Sequence, residues 1–392
     1  VHHPSIRHRF PGVAASDWAR FDGPAGTQVV DVAADAAGGW MRGGSNAAAG
    51  GPFAAAQACD ELLEGARATV GELLGADPAG ICFGANMTTM TLALSRAVGQ
   101  TLRPGDRIVG TRLDHDANVT PWRLACDRAG AEQVLAPFDP VTGTIDPAAV
   151  VELIDERTRW VTVPGASNLL GTVPHLAPIV AAAHDAGAKV FVDAVHLVPH
   201  QRVRITELGC DALATSPYKW YAPHAGVLWV RPELLDELPV AKVRPAPSRG
   251  ARRFETGMPN FEAIAGVQAA ARFLLDEGME TVAEAEAEVF RPLLDGLQAL
   301  AGVRVYGPFG MSGRTPTAAF TIDGVTPADA ARALADERIA VWDGHNYALE
   351  VVDQLGLARS GGVVRAGVVR YIEADDVTRL LDAVERLAAT AP

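Results

Sequence analysis

The chain has 392 residues, 47 of them Asp or Glu against 34 Lys or Arg, for a formal net charge of −13 at pH 7; this argues against nucleic acid and anionic membrane surfaces as partners. Although 48% of the residues are hydrophobic, no run is long or pure enough to span a bilayer. Cys59, Cys82, Cys126 and Cys210 are scattered, with no CxxC pair and no metal-like spacing, and read as buried thiols of a reducing compartment, so a cytoplasmic location and no metal are expected.

No leader is visible in the opening VHHPSIRHRF. Residues 1–25 read as loop with a short helical patch, and Phe21-Asp-Gly-Pro-Ala-Gly26 as a turn. A helix is expected over 29–39. A glycine-rich loop over 41–52 follows, read as a linker. Ala54–Leu74 carries apolar residues at helical spacing. Ile81–Gly84 is a short strand running into a helix that starts near Ala85–Thr88. Free N–H groups at a helix start beside hydroxyls make a phosphate cradle, though an ordinary N-cap gives the same pattern.

Strands are expected at 106–110, 133–137, Thr158–Pro164, 190–193, 211–215 and Gly226–Val230, with helices at 122–130, 147–156 and 176–186. That alternation is the pattern of a mainly parallel sheet with helices on both faces. Residues 241–260 are basic, Pro/Gly-rich and loop-like. Arg244, Arg249, Arg252 and Arg253 read mostly as solvated charge. Helices at 261–275 and 280–301, strands at Val303–Tyr306 and Thr317–Ile322, a helix at 327–337, strands at 339–342 and 363–369 and a helix at 374–389 then form a separate small αβ set. The expected division is an N-terminal segment, 1–25, packing with the small domain, a large domain, 26–260, and a connecting helix with the small domain, 261–392.

Two strand ends carry chemistry. One apolar run ends in Asp193 and the next leads into Ser216-Pro-Tyr-Lys219, and ligands of open α/β sheets collect at carboxyl strand ends. A buried lysine has a lowered pKa and a free lone pair, and an acid is what a pyridinium nitrogen needs. An Asp at a turn and a surface Lys explain the pair equally well. His115, just past a strand end, is either a ring-stacking group or a plain loop histidine.

The stretches Val192-Asp-Ala-Val-His196, SPYKWYAPHAG from Ser216, HDAN…PW from His115, SNLLGT from Ser167 and RFETGMPN from Arg253 occur in one order. Together they resemble the class V aminotransferase group of fold-type I pyridoxal phosphate enzymes, and more closely its cysteine desulfurase-like branch. The resemblance implies an α/β fold: a large domain with a mainly parallel, seven-stranded type of sheet sandwiched by helices, and a smaller α/β C-terminal domain. It implies pyridoxal 5'-phosphate as cofactor, held as a Schiff base by Lys219, which then acts as the proton-shuttling base. Asp193 would pair with the pyridine nitrogen and His115 would stack on the ring. Asn168 would meet the ring oxygen O3′, near which His196 replaces the usual Gln. Ala85, Asn86, Met87 and Thr88 would cradle the phosphate, with Ser216, and Arg365 would clamp the substrate α-carboxylate. Gly257 and Arg253 belong to a segment that approaches the neighbouring active site, so a homodimer is implied. Asn46, His345 and Tyr347 are candidate substrate contacts, and Trp40, Phe53 and Trp342 join the last two as candidate walls for the substrate side chain.

The departures are specific. Tyr347 takes the place of the family's catalytic cysteine, Tyr218 that of a phosphate-binding His, and Met258 that of a Thr. The expected activity is C–S cleavage or β-elimination of cysteine or a related thiol or thioether amino acid. Epimerisation or transamination on the same scaffold is the alternative, and a non-catalytic cofactor-binding protein the remote one.

Overall fold

The computed structural model describes residues 3–390. Its large sheet has seven strands in the order Ile81–Gly84, Gly226–Val230, Ala212–Thr215, Lys189–Asp193, Thr158–Pro164, Arg107–Thr111 and Glu132–Ala136. Gly226–Val230 runs antiparallel to both neighbours, and every other pairing is parallel. The short unbroken apolar runs follow from burial on both faces. Alternate residues serve two cores: Val190 and Val192 pack with Val161 and Val163 on one side, and Phe191 with Trp160 and Ile108 on the other.

A four-stranded antiparallel sheet follows, in the order Trp342–Gly344, Val363–Gly367, Thr317–Ile322 and Val303–Tyr306. Among its helices are Met279–Ala299, Pro327–Asp336 and Ala374–Thr390. Helix Phe261–Glu277 packs against helices Asp31–Arg42 and Ala54–Leu74. The N-terminal segment contacts the second sheet's layer. Ala19–Arg20 pairs in parallel with Ile339–Ala340, and Arg7 bonds Asp376 at 2.6 Å. Among the described residues no helix is long and apolar enough to cross a membrane.

Several elements differ from the sequence expectation. The stretch read as one strand over 339–342 is split, because Ile339–Ala340 pairs with the N-terminal segment and Trp342–Gly344 with Val363–Gly367. The helix expected over 147–156 stops at Val151; beyond it Asp155 caps the Arg157 N–H and takes the Thr158 hydroxyl, which stabilises a turn. The helix expected from 122 begins at Thr120, with Pro121 in its first turn, where a missing N–H costs nothing.

Candidate active site

The sheet register assembles the floor. Asp193 pairs with Pro164 on one side and with Ala214 on the other, so the next residues of three adjacent strands emerge at one edge. These lead to Asn168, His196 and Lys219. Asn168 lies in the turn Ser167–Thr172, which closes on itself through the Ser167 N–H to the Thr172 carbonyl, 2.8 Å. Gly171, at φ +75, is required there, since a Cβ would stand 2.9 Å from the Thr315 carbonyl oxygen. Opposite, helix Met87–Gly99 starts with a reciprocal cap between Asn86 and Thr89, and its Met87 N–H donates to Ser216 Oγ, 3.2 Å. Gly226 passes directly beneath this cradle; a Cβ on it would lie 2.4 Å from the Asn86 carbonyl carbon.

Met87, Thr88, His115, Asn168, Asp193, His196, Ser216, Tyr218 and Lys219 line one inner pocket. It opens into a cleft of about 1020 Å³ that adds Ala85, Asn86, His345, Tyr347 and Arg365. Two sequence candidates stay outside it within one chain. Asn46 sits on an exposed loop, and Gly257 lines a neighbouring groove that shares Ala85, Thr89 and His224 with the cleft. Of the candidate side-chain walls, Trp342 lines the cleft, whereas Trp40 stacks on Phe261 at 6.1 Å and Phe53 is exposed elsewhere, so neither does.

Burial dominates the electrostatics. It pushes the Lys219 amine down to about 7, helped by the Arg365 charge and opposed by Asp193. It pushes the Asp193 carboxyl up to about 6, opposed by the Val195 N–H bond and by Lys219, and the Arg365 guanidinium down to about 9. His115 falls to about 3 through burial and the charges of Lys219 and Arg365, so it is neutral. Its Nδ1 accepts the Ala117 N–H, 3.0 Å, which leaves the proton on Nε2. His196, also held neutral by burial, contacts Thr317 Oγ1 through Nε2 at 2.9 Å.

Three buried polar atoms around this space have no partner: Asn168 Oδ1, His196 Nδ1 and Arg365 Nε. Buried polar atoms are normally satisfied, so these three residues of the pocket and cleft keep polar capacity for a ligand. An acid, an amine of lowered pKa, an imidazole face and a helix N-terminus with a hydroxyl are together a donor set that fits pyridoxal phosphate. Among the described residues no cluster of three metal-ligating side chains occurs.

The second sheet supplies the wall. Arg365 Nη1 donates to the Asn168 carbonyl, 2.9 Å, and Asn168 Nδ2 donates to the Asn346 carbonyl, 2.8 Å; Nδ2 keeps a second hydrogen for the pocket. Tyr347 stacks on His115, centroids 5.4 Å apart and planes at 19°. Sequence reasoning missed Thr317, which holds His196 from 121 residues away; no local signal marks it. All four cysteines are buried and none lines the cleft. Burial raises the thiols of Cys82, Cys126 and Cys210, the last two to about 12, which makes them poor nucleophiles.

The sequence matches the family Aminotransferase class-V over residues 20–380. It is 32% identical over 296 residues to a cysteine desulfurase of Enterobacter sp. (strain 638), covering 72% of this chain and 71% of that one. It is 34% identical over 330 residues to a probable cysteine desulfurase of Pseudomonas putida, covering 80% and 79%. The structure superposes on that of a cysteine desulfurase from Escherichia coli with a TM-score of 0.89 at 26% identity, over 99% and 98% of the two chains. The chain belongs to the class V aminotransferase family, as an enzyme of the cysteine desulfurase-like kind.

Proposed function

We propose that this enzyme uses pyridoxal 5'-phosphate to cleave the C–S bond of cysteine or of a related thiol or thioether amino acid by β-elimination. With cysteine and water the products are pyruvate, ammonia and hydrogen sulfide. The observation that carries the reading is the convergence of Lys219, Asp193, His115 and Arg365 on one cleft that no cysteine lines. When bound, the cofactor supplies an electron sink that lets the Cα–H bond break and the electron pair expel a β substituent.

The chain's own residues supply the rest. Lys219, whose amine burial lowers to about 7 so that a large share is unprotonated at neutral pH, is the group to hold the cofactor's aldehyde carbon and, once released, to take the Cα proton. Asp193 is the partner for the pyridine nitrogen, a cation that would reverse the upward shift burial gives the carboxyl. His115 would cover the ring with a neutral imidazole whose Nε2–H is a hydrogen-bond donor rather than a base. Asn168 and His196 would meet O3′, and the N-terminus of helix Met87–Gly99 with Ser216 would hold the phosphate. Tyr218, stacked on His224 at 5.0 Å, buttresses that side. Arg365 is the fork for the α-carboxylate. A homodimer is part of the proposal, with Gly257 of one copy beside the cradle of the other.

The test is pyruvate release from S-methyl-L-cysteine by the cofactor-loaded protein. The reading requires pyruvate together with a visible cofactor band, both lost in Lys219→Ala. A spectrum unchanged by that substitution contradicts it.

A further inference from the structure

The cofactor and an α-carboxylate account for the floor of the cleft but not for its breadth. About 1020 Å³ lies at the upper end of ordinary small-molecule sites, roughly 300–1,000 Å³, and the side chain of free cysteine is a single CH₂–SH. The outer wall is aromatic. Trp342 and Tyr347 line it while 51% and 66% exposed, and His345 meets Tyr347 edge-on at 5.9 Å.

Two observations tie this wall to the substrate. Trp342 and Arg365 are directly opposed residues of adjacent antiparallel strands, so their side chains stand next to one another on the same face. A carboxylate held by Arg365 therefore has an indole beside it. Tyr347, in turn, stacks on His115 at the cleft and is carried by an unusual backbone. Asn346 and Tyr347 have φ of 49 and 59, consecutive left-handed residues without glycine's freedom. The turn persists because it is braced to the cofactor side. Asn168 Nδ2 donates to the Asn346 carbonyl at 2.8 Å, the Asp116 N–H to the Tyr347 carbonyl at 2.7 Å, and the Tyr347 N–H to His345 Nδ1 at 2.9 Å. Backbone strain kept in this way clusters at ligand clamps.

We propose that Trp342 and Tyr347 form the recognition wall for an aromatic or comparably bulky apolar substituent on the substrate sulfur. The site then takes S-aryl or S-aralkyl cysteines in preference to cysteine itself. This rests on the C–S cleavage reading above. The step needs no oxidant or reductant: the Cα–H and Cβ–S bonds break, the sulfur leaves as a thiol carrying its substituent, and water converts the remaining three-carbon unit to pyruvate and ammonia. The wall gives the departing thiol an apolar place to sit in a cleft without a protein thiol to receive it.

The test uses the holoenzyme and two pairs of compounds. L-Homophenylalanine and L-norvaline lack a leaving group, and their affinities are measured by calorimetry. S-Benzyl- and S-methyl-L-cysteine are compared by kcat/KM for pyruvate release. Homophenylalanine is expected to bind at least about tenfold tighter than norvaline, with a similar benzyl-to-methyl ratio. Both ratios should fall toward one in Trp342→Ala and Tyr347→Ala, and stay high in Trp342→Phe, which keeps a ring. Equal affinities in the wild type, or ratios unchanged in both alanine variants, overturn the wall. If either alanine variant fails to fold, Trp342→Leu and Tyr347→Leu carry the same comparison. Preferential binding of homophenylalanine without pyruvate from either thioether would sink the C–S reading while leaving the wall intact.

Discussion

Lys219 and Tyr347 line the same cleft but belong to differently built parts of it. Lys219 follows a buried strand of the large sheet, and its neighbours Asp193, Asn168 and His196 emerge from strands in fixed register with it. Tyr347 follows a three-residue edge strand of the second sheet, in a left-handed turn, and is mostly exposed. The floor is costly to alter, because each side chain is buried and meets another, whereas Tyr347 of the wall is 66% exposed and touches the floor through one stacking contact, with His115. By the resemblance, the floor keeps the family's Lys219, Asp193, His115 and Asn168 but departs at His196 and Tyr218, and the wall departs at Tyr347. On the proposed function, bond-breaking capacity resides in the sheet, and the loop of the second sheet is the part that would set the destination of the sulfur.

The largest effect that sharpens this contrast is on the floor. Lys219→Ala should lower pyruvate release by at least about 10³-fold and remove the visible cofactor band, as read by stopped assays and absorbance. Next comes Arg365, at the junction of the two parts. Arg365→Ala should cost about 2–3 kcal/mol, roughly a hundredfold in kcat/KM, and Arg365→Lys should not restore it, because the bidentate fork is lost. If Lys restores most of the activity, the carboxylate is not held there.

A smaller effect comes with pH. The Lys219 amine reacts as the free base, and burial places its pKa at about 7 in the ligand-free protein. Cofactor uptake by the apoprotein, followed by absorbance, should therefore slow by about tenfold per pH unit below 7 and level off above it. Stability has a matching sign. The folded pKa lies below the ordinary 10.5, so the unfolded chain binds more protons between about 7 and 10.5. The lysine's contribution to stability accordingly rises with pH across that window. Lys219→Met should flatten that rise and raise the apo melting temperature at pH 7, by roughly 1 °C for each kcal/mol recovered in a chain of this length. A rise with pH undiminished in the variant would assign it to other groups. The smallest effect concerns the thiols. Alkylation of the native holoenzyme should change pyruvate release less than about twofold, since no cysteine lines the cleft.

Much of the floor was legible in the sequence because its signals are local. Apolar runs that end in Asp193 and lead into Lys219 place both groups at strand ends, and Thr158–Pro164 and Gly226–Val230 have the expected bounds. The family resemblance then supplied the roles, and the described geometry brings most of those residues into one space. What stayed hidden depends on long-range pairing. The switch of the 339–344 segment from one partner to another is invisible to periodicity, as both halves are equally extended. Thr317 reaches His196 only through the tertiary fold, and the apposition of Trp342 with Arg365 is a matter of strand register. Trp40 and Phe53 were candidates by residue type alone, and type does not fix location.

The most direct test of the central claim is the carbon product from L-cysteine with cofactor-loaded protein, followed together with the mass of the intact chain. Pyruvate, with sulfide released and no sulfur added to the protein, is the predicted result. Alanine accompanied by a persulfide on one of the four cysteines would contradict the account, since a thiol now buried would have to reach a cleft that Tyr347 occupies.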